Sequence, residues 1–191
     1  MAACTLPLVL PDNDPCLSGA AVIGKQVVGL LIQDQAGTAP TFTDLASVQS
    51  ALTATGTAQV FILPNLSDGL VPAATDETLT GNAVPYGGTI TTGRIHTVTG
   101  RLVYLAPAAV AAADQFTARQ TPVRYWLYDD QNRIQGPFEN ATINLGVLER
   151  QGIGNAAQPG KALTASTRLL GLAEPLISTT TIAGINALRN A

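Results

Sequence analysis

The segment from Ala20 to Gln33, AAVIGKQVVGLLIQ, is apolar on both faces when laid out with the two-residue period of a strand. Val22, Val28, Leu30 and Ile32 fall on one side, and Ile23, Val27 and Leu31 on the other. A strand of this kind must be covered on both sides, which excludes a lone sheet with one wetted face. Gly24 and Gly29 interrupt it and mark bend or bulge points. With 191 residues, the chain has enough length to build that cover within one domain, and too little for a second domain of ordinary size.

The remaining pattern is also dominated by strands. Thr89 to Ala106, TITTGRIHTVTGRLVYLA, is dense in β-branched residues, with Gly93 and Gly100 as further bend points. Val123, Tyr125 and Leu127 alternate with Arg124, Trp126 and Tyr128, and Asp129-Asp130-Gln131-Asn132 then predicts a hairpin turn toward Ile134. Further strands are expected over 58–63, 141–148 and 161–172, the last after a loop from Gly152 to Gly160. Residues 66–89 are rich in Gly, Pro, Asp and Thr and read as a long hairpin or loop with short strands of its own. Two short helices are expected. One follows Phe42, with Thr43 as N-cap and Leu45, Val48 and Leu52 at helical spacing; the other opens at Pro107 and runs from Ala108 to about Ala118. The fold class is therefore mainly β, an antiparallel β sandwich or barrel with two short flanking helices and extended terminal arms. Pro7, Pro11 and Pro15 make residues 1–19 an N-terminal arm, residues 20–173 form the sandwich domain, and residues 174–191 form a C-terminal tail. Within that tail Ile182, Ile185 and Leu188 are spaced for a helical turn that is stable only if it docks.

Charged residues make up 12% of the chain, about half the share in an ordinary soluble protein. Lys and Arg number 10 against 13 Asp and Glu, for a net charge of -3, so the chain lacks the basic footprint of a tight nucleic-acid or membrane-surface binder. It contains no run of about 18 apolar residues of the kind that spans a bilayer, and no membrane partner or signal peptide is expected. Cys4 and Cys16 read as two free thiols in the arm.

The residues able to carry chemistry are few. His96, the sole histidine, lies in a strand pattern between Ile95 and Thr97 and reads as structural. Asp129 and Asp130 read as turn residues, and Asp68, Asp76 and Glu77 as a dilute acidic loop. Trp126, Tyr125 and Tyr128 read as packing residues, with alternation placing Tyr125 opposite the other two. The chain carries no GxSxG, HExxH, Walker A or CxxC pattern. No catalytic residue, cofactor or metal is therefore expected. Low charge, many small and β-branched residues and extended termini suit a subunit that assembles.

Residues 42–65, FTDLASVQSALTATGTAQVFILPN, and the later stretch GRLVYLAPAAVAAADQFTARQTPVRYWLYDDQNRIQG resemble those of virion structural proteins of tailed bacteriophages. The order of strand, helix and hairpin with an aspartate-rich turn resembles the tail-tube family. The resemblance covers residues 20–172 and implies a non-enzymatic, hexameric ring whose strands join a continuous inner barrel. It implies residues 66–89 as the loop, and 1–19 and 174–191 as the arms, that bind the next ring. The implied partners are copies of the chain, other virion proteins and DNA in transient, non-specific passage. The implied location is the virion, assembled in the host cytoplasm. Capsid decoration, connector or baseplate roles and a secreted β-sandwich binding module are the alternatives.

Overall fold

Backbone pairing in the computed structural model makes a single antiparallel sheet of eight strands. The structure describes residues 27–63, 66–67, 69, 73–80, 88–103, 111, 114, 117, 121–153, 156–169 and 181–190. The strands are β1 (Val27–Asp34), β2 (Val60–Ile62), β3 (Leu66–Ser67), β4 (Ala73–Thr80), β5 (Thr89–Val103), β6 (Val123–Asp129), β7 (Ile134–Ile153) and β8 (Ala156–Leu169). Their order is β2-β1-β6-β7-β8-β5-β3, with β4 also on β5. The first half of β7 pairs with β6 and the second half with β8, so one strand serves two halves of a sheet that folds over on itself. The fold returns β3 to β1, where the Val27 N–H donates to the Gly69 carbonyl at 3.3 Å. The path begins at β2 and ends at β3 without ladder closure among the described residues.

Folding over buries one apolar layer inside the sheet and leaves a second on its outer face. The inner layer holds Leu30 and Ile32 of β1, Val98 and Leu102 of β5, Tyr125 and Leu127 of β6, Phe138 and Ile143 of β7 and Leu163 of β8. Trp126, Tyr128 and Leu31 lie in the outer layer, under α1 (Leu45–Thr53) and the C-terminal segment. The expected alternation in β6 is therefore observed, and it explains why all seven of its residues are buried. β1 is also covered on both sides, but with a bulge. Its register with β6 shifts between Val27 and Gly29, which brings Val27 into the inner layer and Val28 against the outer one. This exchanges the faces expected for that pair. Gly29 has to lack a side chain, because an added Cβ would lie 2.3 Å from the Tyr128 hydroxyl oxygen.

Several expectations need correction. Asp44 caps α1 in place of Thr43: its carboxylate accepts from the Ser47 N–H at 2.7 Å while the Ser47 hydroxyl accepts from the Asp44 N–H, a reciprocal box that Thr43 is one residue too early to close. The loop expected from Gly152 to Gly160 is instead the end of β7 paired with the start of β8, in register from Glu149↔Gly160 to Ile153↔Ala156. The separate strands expected around Ile134 and at 141–148 are one strand of 20 residues. It passes through Gly136 and Pro137, and its register with β6 shifts on either side of Tyr125. Residues 66–89 contain β3 and β4. Of the second expected helix, Ala111, Asp114 and Thr117 are described, each helical. The rest of that helix lies outside the described residues, as do the arm of residues 1–19 with Cys4 and Cys16, and Asp68.

Candidate assembly surface

The side chains able to carry chemistry are each held in separate structural settings. His96 is 2% exposed on the inner face of β5, its ring 5.7 Å from that of Phe138. Asp129 ends β6, and one of its carboxylate oxygens accepts from the N–H groups of Gln131 and Arg133, each at 2.9 Å. Asn132 adopts a left-handed conformation, φ 58°, and its N–H donates to the Asp129 carbonyl at 3.0 Å. Asp129 is thus the residue that shapes the hairpin turn, while Asp130 is exposed. Asp76 pairs with Arg94 at 2.7 Å, and Glu77 with Arg168 at 2.5 Å. The first pair staples β4 to β5, and the second reaches from β4 across β5 to β8. Among the described residues, no three His, Cys, Asp or Glu side chains cluster as metal ligands, and no helix is long and apolar enough to cross a membrane.

Trp126 is 2% exposed and packs edge-on to Phe42, ring centroids 5.1 Å apart. Gly136 gives it room, since an added Cβ there would lie 2.7 Å from the indole. An aromatic platform for sugars needs a face open to solvent, and this one is covered. Tyr125 stacks on Phe138 at 4.8 Å on the opposite side of the sheet, and burial pushes its phenol well above the usual range.

A polar network that sequence reasoning did not anticipate joins β1, β6 and β7. The buried Arg124 donates through Nε to Glu139 at 2.6 Å, and through Nη1 to Gln33 Oε1 at 3.0 Å and to the Gly37 carbonyl at 2.7 Å. Gln33 in turn donates to the carbonyls of Thr38 and Ala58, and Gln35 donates to the second oxygen of Glu139. Partial burial pushes the Glu139 carboxyl up, but hydrogen bonds from Arg124 and Gln35 and the Arg124 charge outweigh it, and the net direction is down. The network fixes the crossing from β1 toward α1. Its only signal in the sequence is that Gln33, Arg124 and Glu139 are polar residues within otherwise buried strands. Lys161, 1% exposed, donates to Asp114 and to the Gly146 carbonyl, tying a described residue of the second helix to β7 and β8.

What remains exposed lies at the margins of the sheet. Among the described residues, β2 pairs only with β1, and β4 only with β5. β8 pairs with β5 only from Arg94 onward. Among the described residues the stretch Thr89–Gly93 pairs with β4 alone, as a two-stranded ribbon. In that ribbon Thr80↔Thr89 and Thr78↔Thr91 share one face and Leu79↔Ile90 the other. Leu79 is 48% and Ile90 49% exposed; on β2, Phe61 is 56% exposed. The C-terminal segment differs from the arm that the resemblance implied. Ile182 and Ile185 are fully buried in the outer layer, and the Ile182 N–H donates to the Asn132 carbonyl at 2.9 Å.

No protein-family model matches the chain, and no curated protein sequence matches it. Among solved structures it is similar to a chain of the virion of a native gene transfer agent particle, with 14% identity, a TM-score of 0.37, and coverage of 78% of this chain and 95% of that one. It is also similar to a chain from the tail of an empty gene transfer agent particle, computed with helical refinement and C6 symmetry. There the identity is 16%, the TM-score 0.38, and the coverage 84% of this chain and 100% of that one.

Proposed function

We propose that the chain is a structural subunit of a virion tail, a tail-tube protomer that joins copies of itself into rings, six to a ring, and stacks them into a conduit for DNA. The observation that carries this reading is the pair of sheet margins. β2 and β4 each present an edge that no described strand covers, and an unlike pair of edges on one chain joins head to tail and closes into a ring when the rotation allows. The two apolar faces of β1 do not carry the reading, because α1 and the C-terminal segment cover the outer one within the same chain. A net charge of -3 and only 10 Lys plus Arg suit a lumen that passes DNA without holding it. The structural settings of His96 and Asp129 suit a protein without catalysis, and the tail reading carries with it a location in the virion and contacts with other virion proteins. A sugar-binding module is disfavoured by the burial of Trp126. Native mass spectrometry and negative-stain imaging of the full chain test the reading. Rings of uniform order are expected, and a strict monomer at high concentration after prolonged incubation refutes it.

A further inference from the structure

Residues 35–59 leave the sheet at the end of β1 and return to it as β2, and the two chains meet again at the pair Gln33↔Val60. Gln33, 0% exposed, spans that neck. Its Nε2 donates to the Thr38 carbonyl on the outgoing chain at 3.0 Å and to the Ala58 carbonyl on the returning one at 3.2 Å. Arg124 donates to Gln33 and to the Gly37 carbonyl, while Gln35 donates to Glu139 and its Oε1 accepts from the Asn140 N–H at 2.9 Å. Beyond the neck the fastening changes character. The side-chain hydrogen bonds of Asp44, Ser47 and Thr53 close within α1 and its cap, and Phe42, Leu45, Val48, Ala51 and Leu52 meet the outer layer through apolar contact. The excursion is built as a lid, apolar across its body and polar at its hinge.

We propose that Glu139 is an acid-operated catch for this lid: its protonation releases residues 35–59 from the outer layer as one unit while the sheet stays paired. Glu139 supplies the counter-charge of Arg124, whose side chain is 9% exposed against 39% for the carboxylate. Protons therefore reach the catch more readily than water reaches the guanidinium. With Glu139 neutral, Arg124 is a buried cation without its partner charge, an arrangement that is strongly destabilising. It regains hydration by exchanging its bonds to Gln33 and Gly37 for water, and those are the bonds that hold the neck. The other charged groups nearby are committed elsewhere. Asp34, at the start of the turn, accepts from the Ala36 N–H at 2.8 Å, and Arg168 of β8 pairs with Glu77. β8 meets Glu139 through the Thr167 hydroxyl, which donates to its backbone carbonyl. The folded carboxyl titrates below its ordinary value, so the catch is fully engaged above that value and lets go as pH falls through the folded one. This inference does not depend on the tail reading.

Hydrogen exchange of the full chain, read by mass spectrometry from pH 7 to pH 3 and corrected for intrinsic rates, tests it. Peptides within 38–58 are expected to lose protection as Glu139 takes up its proton, while those of β6 and β8 keep theirs. Acrylamide quenching of Trp126 should rise over the same interval, because Phe42 packs on that indole. Glu139→Gln should show the loss already at pH 7, by about tenfold or more, the scale of hydrogen bonds to a charged group, with no further step in acid. Asp34→Asn, which discharges the other carboxylate of the neck but keeps an acceptor for Ala36, should match the parent at pH 7. Protection lost equally from lid and sheet would make Glu139 a general stabiliser and overturn the proposal. So would an unchanged lid in Glu139→Gln, or a lid opened as far by Asp34→Asn. Should Glu139→Gln not fold, the parent's pH series decides by itself.

Discussion

Ile185→Ala tests whether the C-terminal segment is part of the folded core. Ile185 is 0% exposed and shares the outer apolar layer with Leu31, Trp126, Tyr128 and Ile182. Truncating a fully buried isoleucine to alanine removes its transfer free energy and leaves a cavity, and such changes cost about 2–5 kcal/mol. Taking about 3 kcal/mol, and an m-value of about 2 kcal/mol/M for urea, the unfolding midpoint falls by about 1.5 M with m unchanged. Trp126, the sole tryptophan, lies in the same layer, so its fluorescence reports the transition without an added probe. Ala183→Ser, at an exposed position nearby, serves as the control and is expected to stay within about 0.5 kcal/mol of the parent. A midpoint for Ile185→Ala that matches the control would show that the segment is an arm resting on the surface, and the account of how the outer face of β1 is covered would fail.

Three further outcomes follow from side chains in the other settings. Asp129→Ala removes the acceptor for two backbone N–H groups of the turn and is expected to cost about 1–3 kcal/mol, whereas Asp130→Asn is expected to leave the urea midpoint within error; equal effects would refute the assignment. Tyr125 has a hydroxyl with no partner among the described residues, so Tyr125→Phe is expected to change stability by less than about 1 kcal/mol. Absorbance titration of the native protein should lose no amplitude near pH 10 on Tyr125→Phe, because burial already holds that phenol above this range. The depressed folded-state carboxyl of Glu139 contributes stability that is full above its unfolded value and is lost as pH falls through the folded one. Urea midpoints followed from about pH 6 down to pH 3 should therefore fall less steeply for Glu139→Gln than for the parent; parallel curves would contradict this.

Features set by local periodicity were readable in the sequence, and those set by register were not. The two faces of β6 follow from simple alternation at Tyr125 and Trp126. The faces of Val27 and Val28 did not follow, because one bulge at Gly29 exchanges them. The strands expected near Ile134 and at 141–148 were read apart, yet β7 runs through Gly136-Pro137 between them, since tertiary pairing with β6 on one side and β8 on the other overrides local propensity. Ile182 and Ile185 had the right spacing for a turn, but spacing alone does not say whether a short segment docks on its own chain or on a neighbour. The same limit applies to the assembly surface. Leu79, Ile90 and Phe61 resemble core residues in the sequence, and only the folded chain shows them exposed.

The length of β7 has a mechanical consequence. Because this single strand is bonded to β6 through its first half and to β8 through its second, a pull along it loads both ladders in shear at once, with their hydrogen bonds resisting together instead of opening one after another. The two halves of the sheet therefore share any axial load and cannot slide past each other without losing register along β7. A shell built from such units would bend as a stiff wall, its compliance confined to the joints between copies.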